Sequence, residues 1–299
     1  MAKYLFIKEC NYCNSRKWEK KFTLSGQNLV RCMNCGLMFF DRQNLDEENL
    51  YDENYYKAKD NNKSNIYSDY SFQEKVVKSK FNFAYSYIVD YFSKKSKLLE
   101  IGCGYGYFLE LISKKMNTYA VEISKKAAEE THKNNPNIKV YNSDFLKVRI
   151  MNDFNFVVAF DVIEHQNDLK SFLNKIYSIL DKDGVFIFTT PDYGTIFNRI
   201  FSKHAPAVQP LYHNYYFEKK WLINNLTEMG FKIVFLKTSY FEPMNVGYIL
   251  MHLHLAFPFL TKLHLLKITR FMRIDNFVIP FFRFGGIECI AQKNRKAKL

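Results

Sequence analysis

Between Lys97 and Glu110 the chain reads Lys-Leu-Leu-Glu-Ile-Gly-Cys-Gly-Tyr-Gly-Tyr-Phe-Leu-Glu: a short apolar strand, a turn with three glycines and the start of a helix. A turn without side chains lets a ligand lie against the backbone, which is why strand–glycine loop–helix units hold nucleotide-like cofactors. The spacing discriminates between cofactors. A dinucleotide fingerprint wants G-x-G-x-x-G with a pyrophosphate on the helix N-terminus. Here Gly102, Gly104 and Gly106 give G-x-G-x-G, and Glu100 stands two residues ahead. A carboxylate there repels a pyrophosphate and suits a ligand carrying an ammonium and a sulfonium.

The remainder alternates strand and helix. Strands are expected near 97–101, 117–121, 138–141, 154–160, 184–190, 231–238 and 286–292, and helices near 106–115, 124–134, 168–180 and 218–229. Helical spacing from Ser71 to Lys94 adds a leading amphipathic helix. This pattern predicts an α/β fold: a doubly wound, Rossmann-like, seven-stranded and mainly parallel sheet. Strand ends gather along one edge of such a sheet, so residues far apart in sequence meet in one crevice. Glu122 ends the second strand, where a carboxylate can accept both ribose hydroxyl hydrogens. Asp144 and Phe145 follow the third, where an acid suits an adenine amino group and an aromatic suits its ring. Asp161-Val162-Ile163-Glu164-His165 follows the fourth.

Cys10, Cys13, Cys32 and Cys35 form C-x2-C-x18-C-x2-C, a spacing at which four sulfurs converge tetrahedrally on Zn²⁺ at about 2.3 Å. Asn14 and Gly36 each follow a second cysteine, where a knuckle needs positive φ. Four thiolates leave no open position for water, so the zinc is expected to be structural. The expected organisation is a zinc ribbon over 1–45, a linker with the leading helix over 46–95, and one large domain over 96–299 with a basic, aromatic insertion near 242–284.

Residues 97–240 resemble the core of the class I S-adenosylmethionine-dependent methyltransferases, particularly the small-molecule branch that includes quinone O-methyltransferases. The E-x-G-x-G-x-G loop, the acid ending strand two and the D-V-I-E-H segment carry the resemblance. It implies that Gly102, Gly104 and Gly106 approach the methionine part, that Glu100 orients its ammonium, that Glu122 holds the ribose and Asp144 the adenine, and that 161–165, beginning at Asp161, lines the transferred methyl. The cysteine ribbon ending in R-C-x-x-C-G-L-x-F extends the likeness to zinc-ribbon methyltransferases of bacterial glycan and natural-product pathways.

A hydroxyl acceptor also needs a proton removed, and His165 and His213 are the candidates because histidine titrates near neutral pH. Tyr215 and Tyr216 are candidates for positioning a sugar or aromatic acceptor. The expected reaction is O-methylation of a small-molecule acceptor, a sugar or glycan-precursor hydroxyl. Two alternatives stand beside it: methylation of a quinone or lipid-linked acceptor at a membrane surface, and a zinc-ribbon RNA-binding protein or RNA methyltransferase. The formal charge of +13, lowered by two if four thiolates hold one Zn²⁺, favours anionic partners. The ribbon lacks a dense basic patch with interleaved aromatics, which disfavours nucleic acid. No apolar run reaches the roughly 20 residues of a bilayer span, and the N-terminus does not read as a secretory leader. A cytoplasmic protein is expected, with the insertion able to rest peripherally on the inner membrane face. The absence of an Asn/Asp-Pro-Pro-Tyr segment after strand four argues against methylation of a nucleobase nitrogen.

Overall fold

The computed structural model describes residues 4–44, 81–150, 153–205, 207–239 and 285–294, with scattered residues between 244 and 279. Residues 45–80, including most of the expected linker and the first half of the leading helix, lie outside the described residues. So does much of the 242–284 insertion.

The N-terminal part holds β1 (Tyr4–Phe6), the hairpin β2 (Trp18–Leu24) and β3 (Gln27–Cys32), then β4 (Met38–Phe40) and β5 (Arg42–Asn44). Asn14 and Gly36 have φ of 57° and 79°, as their place after a second cysteine predicts. Helix α1 (Asn82–Tyr91) then leads into β6 (Lys97–Ile101), α2 (Tyr107–Ile112), β7 (Asn117–Glu122), α3 (Lys125–Asn134), β8 (Lys139–Asn142) and β9 (Phe154–Phe160). Next come α4 (Leu169–Ile179), β10 (Leu180–Pro191), α5 (Ile196–Phe201), β11 (Tyr215–Tyr216), α6 (Lys219–Glu228) and β12 (Phe231–Ser239). Short pieces β13 (Met244–Asn245), α7 (Leu265–Phe271) and β14 (Val278–Ile279) precede the long β15 (Gly286–Lys293).

Seven strands form the main sheet in the order β12-β15-β10-β9-β6-β7-β8. β15 runs antiparallel to both neighbours, and the pairings from β10 to β8 are parallel. The order reverses between β6 and β9, so the crevice opens where the glycine loop and the segment after β9 face one another. The central strands β6, β9 and β10 are largely buried and apolar on both faces, as buried parallel strands must be. Leu98, Phe156, Val158 and Ile187 pack under α1 and α2 with Ala84, Ile88, Phe108 and Leu109. Leu99, Val157, Phe186 and Phe188 pack under α4 with Phe172 and Ile176.

Two expected elements change length. The helix expected over 106–115 spans only Tyr107–Ile112: Gly106, with φ +78°, stands outside it as its N-cap, and residues 113–115 form turns. The strand expected over 184–190 begins at Leu180, with a register shift before Val185.

The sheet of β2, β3 and β4 takes its fourth strand from far along the chain: Tyr215 pairs with Phe39 and Tyr216 with Met38. Ribbon residues Val30, Leu37 and Phe39 therefore share one core with Tyr215, Phe217 and Trp221. β1 lies outside this sheet, paired with β5. Among the described residues no helix is long and apolar enough to cross a membrane.

Candidate functional site

Glycines at 102, 104 and 106 all have positive φ (69°, 53° and 78°), so the loop after β6 needs them conformationally. At Gly102 space is also closed: an added Cβ would stand 2.6 Å from Val162 Cγ2. That approach places the 161–165 segment directly against the glycine loop. The loop is pinned from below, where Thr131 Oγ1 donates to the Gly104 carbonyl at 2.6 Å.

Two carboxylates sit beside this loop, both buried. Glu122 accepts the Gly104 N–H on Oε2 and the Ser124 N–H on Oε1, each at 2.9 Å. Each oxygen keeps a lone pair for a ribose hydroxyl. Glu100 Oε2 is buried without a hydrogen-bond partner in the structure. Burial and the neighbouring Glu122 charge push the Glu100 carboxyl well above the usual range. An orphaned acceptor facing a second acid is unfavourable until a cation arrives. The donor set thus fits a ligand with a fixed positive charge and a diol, as S-adenosylmethionine offers.

Burial raises the Glu122 carboxyl from 4.5 to about 7, against the pull of its backbone N–H donors. The folded chain therefore keeps this proton where the unfolded chain has lost it, and Glu122's contribution to stability falls as pH climbs from about 4.5 to about 7. Ribose hydroxyls donate to the carboxylate, so binding expels the proton. Affinity for S-adenosylhomocysteine should rise up to about tenfold per pH unit below 7 and level off above it. In Glu122→Gln the pH slope should become shallower, the raised Glu100 carboxyl alone still titrating, with binding weaker by about tenfold or more. Calorimetry across pH checks both, and an unchanged slope in the variant would remove Glu122 from the site.

Asp144 and Phe145 do not both reach the crevice. Asp144 is half-buried and caps its own turn, accepting the Leu146 N–H at 2.8 Å, with Lys147 Nζ 3.7 Å from its other oxygen. Phe145, expected against the adenine ring, is instead a core residue. It packs edge-on to Phe172 at 5.3 Å, with Lys175 Nζ 4.8 Å over its ring. An aromatic after a strand serves a core and a cofactor equally well, and here α4 claims it.

The segment after β9 bends sharply. Asp161 has φ +53°, a conformation uncommon outside glycine, and it is locked by Thr189. Its N–H donates to the Thr189 Oγ1 at 3.0 Å, and its Oδ1 accepts from the same hydroxyl at 2.8 Å. A single turn, Ile163–His165, then turns Glu164 and His165 inward. The fold brings His165 and His213 together, their ring centroids 4.9 Å apart. His165 Nδ1 lies 2.8 Å from the Tyr212 carbonyl and His213 Nδ1 2.9 Å from that of Ala207. A carbonyl only accepts, so the His213 ring carries its hydrogen on Nδ1, while the His165 ring meets the backbone of both Tyr212 and Asp161.

Burial pulls His165 below its usual value, opposed by the Tyr212 carbonyl and by Asp161. Burial and the neighbouring His165 take His213 down to about 3. At neutral pH His213 is thus an uncharged ring and a weak free base, which corrects its expected role as a simple proton acceptor. Glu164, the fourth residue of the Asp161–His165 segment, carries no role in the expected site. It is almost wholly buried, with Oε2 accepting from Thr190 Oγ1 at 3.0 Å and Oε1 3.8 Å from His165 Nε2.

Asn214 completes the arrangement. Its side chain donates to the carbonyls of His165 and Gln166 and to Asn167 Oδ1, and its N–H donates to the Glu164 carbonyl at 2.8 Å. No local signal marks it, because all its partners lie almost fifty residues away. Tyr215 and Tyr216, expected to position an acceptor, are buried in the ribbon sheet. The Tyr215 hydroxyl donates to the Asn167 carbonyl at 3.0 Å, so its work is structural.

Cys10, Cys13, Cys32 and Cys35 bring their sulfurs within 4.8 Å of one another. Cys10 and Cys35 stand 3.7 Å apart and Cys13 and Cys32 3.5 Å. Tetrahedral Zn–S bonds of about 2.3 Å set sulfurs just under about 4 Å apart, so the four residues fit a closed zinc site. Asn11, inside the first knuckle, donates to the Asn167 carbonyl and to the Tyr215 hydroxyl. The ribbon thereby grips the loop that follows His165.

Comparison with known proteins agrees with this core. A family model described as a methyltransferase domain matches residues 75–236. A malonyl-[acyl-carrier protein] O-methyltransferase of Bacillus cereus is 27% identical over 99 residues, covering 31% of this chain and 37% of that relative's length. Among solved structures, a candidate methyltransferase from Bacillus halodurans superposes with a TM-score of 0.54 at 14% identity, over 72% of this chain and 99% of its own. The YcgJ protein of Bacillus subtilis gives 0.51 at 12% identity, over 73% and 99%. These two share the fold. With the matched family covering more than half of its residues, the chain belongs to the methyltransferase-domain family.

Proposed function

We propose that the chain moves the methyl group of S-adenosylmethionine onto a hydroxyl of a small-molecule acceptor, a sugar or glycan precursor. The observation that carries this reading is the Glu164–His165–His213 cluster, whose first two members stand on the segment that packs against the glycine loop. Methyl transfer from a sulfonium is an in-line displacement, for which the protein mainly supplies alignment. An acceptor hydroxyl must in addition lose its proton, and a buried polar cluster beside the crevice supplies a place for that. The relatives whose printed name is O-methyltransferase support an oxygen acceptor, over the stretch they share.

The experiment is methyl transfer from labelled S-adenosylmethionine to nucleotide sugars, hydroxylated quinones and malonyl-acyl carrier protein, using zinc-loaded protein. A methyl ether on a sugar supports the reading. Methylation confined to another class, or to none, overturns it. His165→Gln should lower kcat by about 100-fold with little change in S-adenosylmethionine KM, because proton removal is a transition-state contribution.

A second reading, a lipid-linked acceptor, has its own observation. On and after α7, Phe271 is 91% exposed, Met272 59% and Phe277 66%, and Lys267 is exposed on the same helix. Apolar groups beside basic ones suit an anionic lipid surface. Flotation with anionic vesicles separates the two: retention in the vesicle fraction, lost in Phe271→Ser, would favour the lipid acceptor.

A further inference from the structure

We propose that Lys175 is a positioning residue for the base of the cofactor: its ammonium gathers three backbone carbonyls of the turn after β8, and so sets the polar groups of Asp144 and Phe145 against the amino edge of an adenine. The proposal rests on the S-adenosylmethionine reading of the site and goes beyond it to how the base is recognised.

The turn is closed locally by Asp144. Its carboxylate accepts the Leu146 N–H at 2.8 Å, and its carbonyl accepts the N–H groups of Lys147 at 3.0 Å and Val148 at 3.1 Å. The carbonyls of Phe145, Leu146 and Val148 are left gathered around one point, where oxygens of like partial charge repel unless a donor stands among them. Lys175 Nζ stands there. It donates to the Phe145 carbonyl, to Leu146 at 3.3 Å and to Val148 at 2.7 Å. An ammonium has three donors and no acceptor, so these carbonyls use its whole capacity. Burial lowers the Lys175 pKa and the Asp144 charge opposes that fall, so ammonium and carboxylate act on one another across the turn. Phe172, one turn earlier on α4, packs edge-on to the Phe145 ring at 5.3 Å. The helix thus grips the turn by a charge and by a ring.

The grip matters because half of what can read the base here is backbone. The Phe145 ring is spent on the core, but its N–H has no hydrogen-bond partner among the described residues. Beside it, Asp144 Oδ2 has only the exposed Lys147 ammonium at 3.7 Å. An acceptor and a donor on adjacent residues match the exocyclic amino group of adenine and the ring nitrogen next to it. They mismatch hypoxanthine, which places an oxygen and an N–H at those two positions. A backbone donor cannot be re-aimed by a change of rotamer; only the conformation of the turn aims it. Three contacts from Lys175 supply that constraint.

The test compares S-adenosylhomocysteine with S-inosylhomocysteine, its hypoxanthine counterpart, by calorimetry on full-length, zinc-loaded protein. The wild type should prefer the adenine compound by about tenfold or more, since the mismatched base leaves polar groups unpaired. Lys175→Met keeps the reach of the side chain and removes the ammonium. It should bring the two affinities within about threefold of each other, chiefly by weakening S-adenosylhomocysteine by about tenfold. A lysine that only stabilises the fold would weaken both ligands alike and leave their ratio standing; that result overturns the proposal, as does a wild type that fails to distinguish the bases. A thermal melt shows whether the variant is folded. If it is not, Lys175→Gln, which keeps two N–H donors for the carbonyls, carries the same comparison. A wild type that binds neither compound defeats the methyl-transfer reading itself. Discrimination that persists in the variant defeats the role of Lys175 alone.

Discussion

Gly102→Ala should weaken S-adenosylhomocysteine binding by about 100-fold or more while leaving the cysteine ribbon intact. Two costs combine. The backbone at residue 102 has φ +69°, which costs a residue with a Cβ about 1–2 kcal/mol. The new methyl would also meet Val162 Cγ2 at 2.6 Å, a distance at which one partner must move. Val162 sits between Asp161, locked to Thr189, and the turn carrying Glu164 and His165. Pushing it therefore shifts the glycine loop and the candidate methyl-transfer edge together. A loss of about 2.7 kcal/mol already corresponds to about 100-fold. Gly26→Ala is the control. It has φ +74°, but an added Cβ meets nothing within 4 Å, so backbone strain is its only cost. Calorimetry with S-adenosylhomocysteine on both variants decides, and equal affinities would show that the loop at 102 does not define the cofactor site.

Removing a cysteine of the candidate zinc site should have an effect of similar size by a different route. Cys10→Ser, or extraction of the ion by a strong chelator, should lower kcat by about 100-fold while S-adenosylhomocysteine affinity stays within about threefold. A structural zinc contributes about 10–16 kcal/mol of folding free energy in small ribbons, more than such a unit holds in reserve. With the knuckle unfolded, Asn11 releases the Asn167 carbonyl, and β4 leaves Tyr215 and Tyr216 without their partner strand. Asn214, next to that strand, is what orients the His165 backbone. The glycine loop, Glu100 and Glu122 belong to the β6–β7 part of the sheet and should keep their ligand. Equal losses in binding and turnover would instead indicate global unfolding, which a thermal melt would reveal.

What was legible in the sequence follows the range of the interactions involved. The glycine loop, Glu122 and the cysteine knuckles are local patterns in which backbone conformation or ligand geometry dictates residue type, and they stand where spacing predicts. The central strands β6, β9 and β10 were legible because buried parallel strands are continuous apolar runs between helices. The pairing of Tyr215 with Phe39 was not legible, since no local feature distinguishes a buried tyrosine completing a distant sheet from one waiting for a substrate. Phe145 failed for the same reason. Glu164 and Asn214 depend on partners such as Thr190 and His165, so only the fold exposes their part in the cluster.

The place of β15 in the sheet bears on how the molecule is made. This strand slots between β10 and β12, although both are synthesised before it, and its pairing reaches from Gly286 to Lys293. While the ribosome is still adding residues 240–285, the nascent polypeptide carries β10 and β12 without the strand that joins them. Unpaired strand edges recruit strands from other chains, so slow translation through that interval would be expected to favour aggregation, and a holdase chaperone to relieve it.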